Sequence, residues 1–207
     1  NMSCSLIAGM ALLQNARIID QNKPLTLMVD AGFYLGDSID PAIACLHLYN
    51  GLHVDFSEES INCFVIASVT QFDSNATTFS SVLCSDEYDL MGDIIYVCFS
   101  YQYNTRLQPF MMICGQAENI QECPSTFDVK ATQYVSHLAS IKNWANGQLP
   151  LRIEILDSPC YMKNKLMPKR AGTKLCSWVT QTACGTHRLS IGLRKEDESS
   201  MSTAEGR

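Results

Sequence analysis

Residues 110–119 read FMMICGQAEN, and residues 126–135 read TFDVKATQYV. The first run is apolar with Gly115 inside it, the pattern of a strand that bends or admits a close neighbour. The second alternates. Phe127, Val129 and Ala131 share one side, and Thr126, Asp128 and Lys130 the other, as a half-buried strand requires. A short connection through Pro124 joins the two runs. Further along, Leu151–Leu156, Leu175–Ala183 and Leu189–Leu193 are apolar runs of strand length. Between them, Ser136–Asn146 (SHLASIKNWAN) reads as a short helix, with Leu138, Ile141 and Ala145 along one side and Gly147 as C-cap.

Five short strands and a helix predict a small Greek-key barrel of the oligonucleotide/oligosaccharide-binding (OB) type over about residues 110–195. One departure is visible. The usual helix of such barrels lies between strands three and four, where this chain has the irregular stretch Ser158–Gly172. Upstream, Ile61–Phe72 and Asp93–Tyr103 read as strands, the latter with Ile95, Val97, Phe99, Tyr101 and Tyr103 on one face. Asn50-Gly51 predicts a type I′ hairpin with arms Cys45–Tyr49 and Leu52–Phe56. Pro24–Val29 reads as a short strand ending at an Asp30-Ala-Gly32 turn. Cys4–Ile19 carries apolar residues near the helical period, and its segment Ser5–Leu13 reads as buried helix or strand rather than as a signal-peptide core. No internal repeat stands out. The expected fold is therefore mainly β, with additional N-terminal strands and one or two short helices. Residues 1–40 form a poorly readable segment, 41–195 a single β domain, and 196–207 an acidic disordered tail.

Composition narrows the function classes. The 207 residues carry a net charge of −6, and 46% of them are hydrophobic, which fits a globular chain and disfavours whole-molecule attraction to nucleic acid or anionic membrane. No apolar run approaches the length of a membrane-spanning helix. Charge is unevenly spread. Pro150–Lys195 holds nine Lys or Arg against two Asp or Glu, while Asn1–Leu149 holds five against fifteen. Most of the ten cysteines sit inside apolar runs and none is spaced C-x-x-C. That pattern predicts reduced core thiols in an intracellular protein, nuclear or cytoplasmic, rather than a secreted disulfide framework or a zinc site.

The basic stretch supplies the candidate site. Lys163, Lys165, Lys169, Arg170 and Lys174 lie between Tyr161 and Trp178, with Arg188 further on. Cations that release counterions and aromatics that stack bases are what single-stranded nucleic acid binding needs. The plainer reading is a solvated loop whose lysines protect an edge strand. The expected partner is single-stranded DNA or RNA, and the alternative is an acidic protein docking on a scaffold domain. No cofactor, metal site, membrane contact or catalytic residue is expected, so the domain reads as non-enzymatic. Cys184-Gly-Thr-His187 reads as a turn rather than a nucleophile pair. His47 and His53 read as hairpin neighbours rather than metal ligands, and the acidic run SDEYDLMGD (85–93) reads as a solvated turn.

The stretch IEILDSPCYMKNKLMP resembles the segment DSPRYKNKKPMP of an uncharacterised family of mushroom-type fungi. LHLYNGLHVDF, EYDLMGDIIYV and FDVKATQYV agree with it in order, and MMICGQAENI fills that family's VxVTGxxxxV strand. The resemblance spans about Leu46–Leu193 and implies an OB-like core with no established activity. Cys160 stands where the family has Arg, and Cys176-Ser-Trp178 where it has VSVTG.

Overall fold

The computed structural model describes residues 3–34, 41–56, 60–72, 87–99, 109–122, 125–136, 146–155, 167–180 and 187–190. Ten strands fill most of them: β1 Cys4–Ile18, β2 Thr26–Phe33, β3 Ala42–Tyr49, β4 Ser60–Gln71, β5 Leu90–Phe99, β6 Phe110–Gln121, β7 Thr126–Tyr134, β8 Asn146–Ile155, β9 Lys174–Thr180 and β10 His187–Ser190.

The mainly-β small barrel is present, and its closed ring is drawn from the first five strands. β1 pairs with β2, β2 with β3, β3 with β5, β5 with β4, and β4 returns to β1. Every contact in the ring is antiparallel except the parallel one between β3 and β5. Two staves thus come from the first forty residues. Cys4–Ile18 is a strand, not a helix. Its apolar run is dense enough to fit either period, and pairing on both edges decides for the strand. Asp30-Ala-Gly32 is no turn but the middle of β2, paired with Cys45, Ala44 and Ile43 of β3. Nor does Asn50-Gly51 make a hairpin, because β3 finds its neighbours in β2 and β5. Asn50 instead clasps Val54 through both its amide nitrogen and its oxygen, at 2.9 and 2.8 Å, and His53 takes the left-handed conformation. In β5 the register slips between Ile66 and Ala67 of its partner strand. That bulge breaks the expected one-face row: Ile95 is exposed, while Ile94, Val97 and Phe99 pack against the core.

The remaining strands form a second set around β6. β6 pairs with β9 on one edge, and on the other with β1 and then β7; β7 pairs with β8, and β8 with β10. β1 behaves alike, holding β4 on one edge, and β6 and then β2 on the other. The likeness extends to detail. Each of β1 and β6 carries a bulge, Gln14–Arg17 and Glu118–Gln121, with a left-handed Asn inside it: Asn15 at φ 52° and Asn119 at φ 48°. The residue before each bulged Asn faces an Asp on the next strand, Gln14 against Asp30 and Glu118 against Asp128. The chain therefore contains a structural repeat that its side chains conceal. The two units differ at their closing strands, since β10 runs antiparallel to β8 whereas β5 runs parallel to β3.

One hydrophobic cluster runs through both units, from Ile7, Val29, Leu46 and Val65 to Met111, Val129, Leu149 and Ile153. β1 and β6 join them directly through the register Cys4–Ala8 against Cys114–Phe110. Gly115 stands where β6 exchanges β1 for β7. A Cβ there would lie 2.7 Å from Val129 Cγ1 and 2.8 Å from the Lys130 carbonyl, so the close approach expected of that glycine is found. The helix expected over Ser136–Asn146 lies outside the described residues except at its ends. Asn146 and Gly147 belong to β8, so Gly147 is not a C-cap. The acidic tail also lies outside them.

Candidate functional site

Three of the cations singled out in the sequence come together. Lys174, the first residue of β9, sits opposite Gln116 of β6, and Gln116 sits opposite Lys130 of β7. Register partners on neighbouring strands share a face, so Lys174, Gln116 and Lys130 form an exposed row across three strands. Exposed Lys169 and Arg170 precede a turn in which Thr173 donates back to the Arg170 carbonyl through both its amide and its hydroxyl. Gly172 takes φ 82° there. The turn is docked rather than free: Gly172 N donates to the Ala117 carbonyl at 2.8 Å, and Ala117 N donates to the Thr173 carbonyl at 2.9 Å. This places the turn beside the bulge of β6. Trp178 and Arg188 are fixed in backbone register only, opposite Met112 and Glu154. Tyr161, Lys163 and Lys165 lie outside the described residues.

Lys130, at one end of the row, lines a cleft of about 540 Å³ together with Glu118, Asn119, Asp128, Gln148, Pro150, Arg152 and Gln71, with Val129 and Leu151 also on its wall. That volume lies within the range of small-ligand sites. Its centre is Asp128, whose Oδ2 accepts from Asn119 Nδ2 at 2.8 Å and whose Oδ1 accepts from Arg152 Nε at 2.9 Å. The Asp128 carboxylate raises the pKa of the Arg152 guanidinium above its ordinary value. Lys130, Asp128 and Arg152 were missed as site residues. The alternation of FDVKA had already put Asp128 and Lys130 on one face, while Arg152 fell in a run read only as a strand, and nothing in the sequence joined the two.

Two further groupings have structural roles. His47, Asp93 and Ser136 meet, yet His47 Nδ1 contacts both Ser136 Oγ at 2.9 Å and Asp93 Oδ1 at 3.2 Å. A nucleophilic triad needs serine and carboxylate on opposite ring nitrogens, and here Nε2 is buried. The group clasps the end of β7 to β3 and β5. Burial works against the Asp93 anion, but hydrogen bonds from His47 and Ser136 prevail and lower its pKa. Of the run 85–93, residues 87–93 are described, and they are not the solvated turn expected. Tyr88 is buried, and Asp89 Oδ2 accepts from Ile43 N at 3.1 Å. Among the described residues, no group of three or more His, Cys, Asp or Glu is placed to hold a metal ion. Cys114 and Cys176 are directly opposite on β6 and β9 and form a disulfide, against the expectation of reduced thiols throughout; Cys4, Cys45, Cys63 and Cys98 are free.

Fold and cleft together define a five-stranded closed β-barrel joined to a related strand set that carries an open, polar, cation-rimmed face. Compared with known proteins, the chain matches no family model, no curated protein and no solved structure.

Proposed function

We propose that this protein is a non-enzymatic tandem of OB-type units that binds single-stranded nucleic acid across the face of β6, β7 and β8. The observation that carries the reading is the row Lys174–Gln116–Lys130, with Lys169 and Arg170 on the docked turn beside it and Lys130 on the wall of a polar cleft. Neighbouring strands lie about 4.8 Å apart, so the backbones of the two lysines are about 10 Å apart, and their long side chains can reach phosphates of one strand lying across the face. The strand order β1-β2-β3-β5-β4 with β3 parallel to β5 supports an OB-type ring. OB barrels bind on the middle strands and adjoining loops, and the cleft occupies that face of the second unit. The likeness to the fungal family covers the same strands and implies no activity of its own.

Filter binding of single-stranded oligonucleotides at two salt concentrations tests this. Wild type should bind at low salt and weaken steeply as salt rises. The triple variant Lys169→Glu, Arg170→Glu, Lys174→Glu should bind at least tenfold more weakly. Its log–log salt slope should be shallower by about 2, from about 0.7 per phosphate contact on a single strand. Absence of oligonucleotide binding at low salt would overturn the reading in favour of a protein-docking surface with no nucleic acid role.

A further inference from the structure

Cys114 of β6 has a cysteine on either side. Its register partner on β9 is Cys176, to which it is bonded, and its register partner on β1 is Cys4, a free thiol. Register partners on neighbouring strands share a face, so the three side chains stand in one row with Cys114 in the middle. Hydrogen bonds hold Cys4 in that row. Ser3 Oγ donates to the Cys114 carbonyl at 3.1 Å and accepts from Thr132 N at 2.7 Å, while Ser5 N donates to Gln133 Oε1 at 3.2 Å. The residues on both sides of Cys4 are thus anchored to β6 and β7. The Cys114 carbonyl points toward β1, which makes Cys4 and Cys114 a hydrogen-bonded pair with Cα atoms about 5.5 Å apart, within the span a disulfide bridges. On the β9 side, the Cα atoms of Cys114 and Cys176 are 4.2 Å apart. Cys114 is buried, Cys4 half-buried and Cys176 exposed. The other free thiols of the described residues are elsewhere. Cys45 and Cys63 are enclosed, and Cys98 lies on β5, opposite Phe64 of β4, which in turn faces Met10 of β1.

We infer that Cys4, Cys114 and Cys176 form a thiol–disulfide exchange site, in which Cys4 takes Cys114 from Cys176 and releases Cys176 as an exposed thiol. Exchange is attack by a thiolate on one sulfur of a disulfide, with the other sulfur leaving. A row across three strands puts the attacking sulfur on one side of Cys114 and the leaving sulfur on the other. Cys176 is two strand spacings from Cys4, about 10 Å, so Cys114 is the sulfur attacked. Cys4 gives its proton to solvent, and its thiolate pair forms the bond to Cys114 Sγ. The Cys114–Cys176 bond breaks with its pair on Cys176 Sγ, which takes up a proton. One thiol and one disulfide enter and leave, so no oxidant or reductant is consumed. The exchange moves a covalent tie. At first it fastens β9 to β6 within the second unit. Afterwards it crosses the β1–β6 ladder that joins the two units, and β9, which begins at Lys174, is no longer tied. The inference uses none of the cleft residues and stands apart from the nucleic-acid reading.

The test is time-resolved alkylation of the full chain, purified without reductant and held with iodoacetamide at about pH 8, where thiolate is present. Disulfides and labels are then mapped by fragment-ion mass spectrometry, which separates Cys114 from Cys123 and Cys176 from Cys184. Wild type should gain label on Cys176 together with a Cys4–Cys114 bond. The rate should be unchanged over a roughly tenfold range of protein concentration, as an intramolecular exchange requires. Cys4→Ser should lose the labelling of Cys176 and keep the Cys114–Cys176 bond. Cys176→Ser, purified in the same way, should carry the Cys4–Cys114 bond outright. Equal labelling of Cys176 in wild type and Cys4→Ser overturns the inference, as does a rate that rises with protein concentration. So does label on Cys4 alone with Cys114–Cys176 intact, or a Cys114 that pairs with neither neighbour. A Cys176→Ser chain in which Cys4 and Cys114 both take label overturns it independently of the kinetics.

Discussion

At the scale of single residues, two arginine–aspartate pairs carry opposite weight. Arg17 and Asp30 are enclosed, and removing one partner leaves a buried charge unmatched. Arg17→Met should therefore destabilise the protein by about 3 kcal/mol. Arg152→Met, at an exposed pair, should leave the midpoint of chemical denaturation unmoved; urea titration of both variants measures the contrast. Gly115→Ala puts a methyl against Val129 and the Lys130 carbonyl. It should cost about 1–3 kcal/mol, as overpacking does. The thiols divide in the same way. Burial pushes Cys45 and Cys63 up to about 12, so at neutral pH neither supplies thiolate. Brief alkylation of the native protein followed by peptide mapping should label exposed Cys98 and spare both. Asp93 sets a pH limit. Its folded pKa is lowered, so its contribution is fully present above the unfolded carboxylate value and is lost as pH falls through the folded one. Asp93→Asn should flatten the acid limb of stability between pH 5 and lower values, read from thermal melts.

At the scale of elements, β1 and β6 matter most, since each pairs with three other strands. The amides of Leu6, Ile7 and Ala8 lie in strands flanked by β4 and β6 together. Hydrogen exchange should show this segment among the slowest in the chain, well behind the fraying ends of β1. Strand existence was largely legible: β4, β6, β7 and β9 all fall where apolar density and alternation put them. Partners were not. Nothing local in Asn50-Gly51 tells that β3 returns to β2 and runs parallel to β5. The turn reading failed because the side chain of Asn50 closes its own loop. The dense apolar run of β1 satisfies both periods, so only its neighbours could choose between them.

For the whole molecule, the basic pole was legible as a charge imbalance, and part of it does border a cleft. The cleft itself was not legible, because its carboxylate, amide and arginine come from three strands and from positions that alternation alone marks as merely polar. The repeat was hidden for a related reason. What the units share is a bulge, a backbone conformation and one Asn–Asp bond, while the residues around them differ with burial. The β1–β6 ladder carries a consequence for how such a chain arises and how it can be divided. Its two strands meet antiparallel by equivalent edges, the contact two copies of one unit would make across a dyad. A ring cut free at residue 106 would keep that edge open, and it should self-associate in pairs by light scattering, with Cys4–Ala8 of each copy replacing the missing β6. The present protein then reads as a dimer written into one chain.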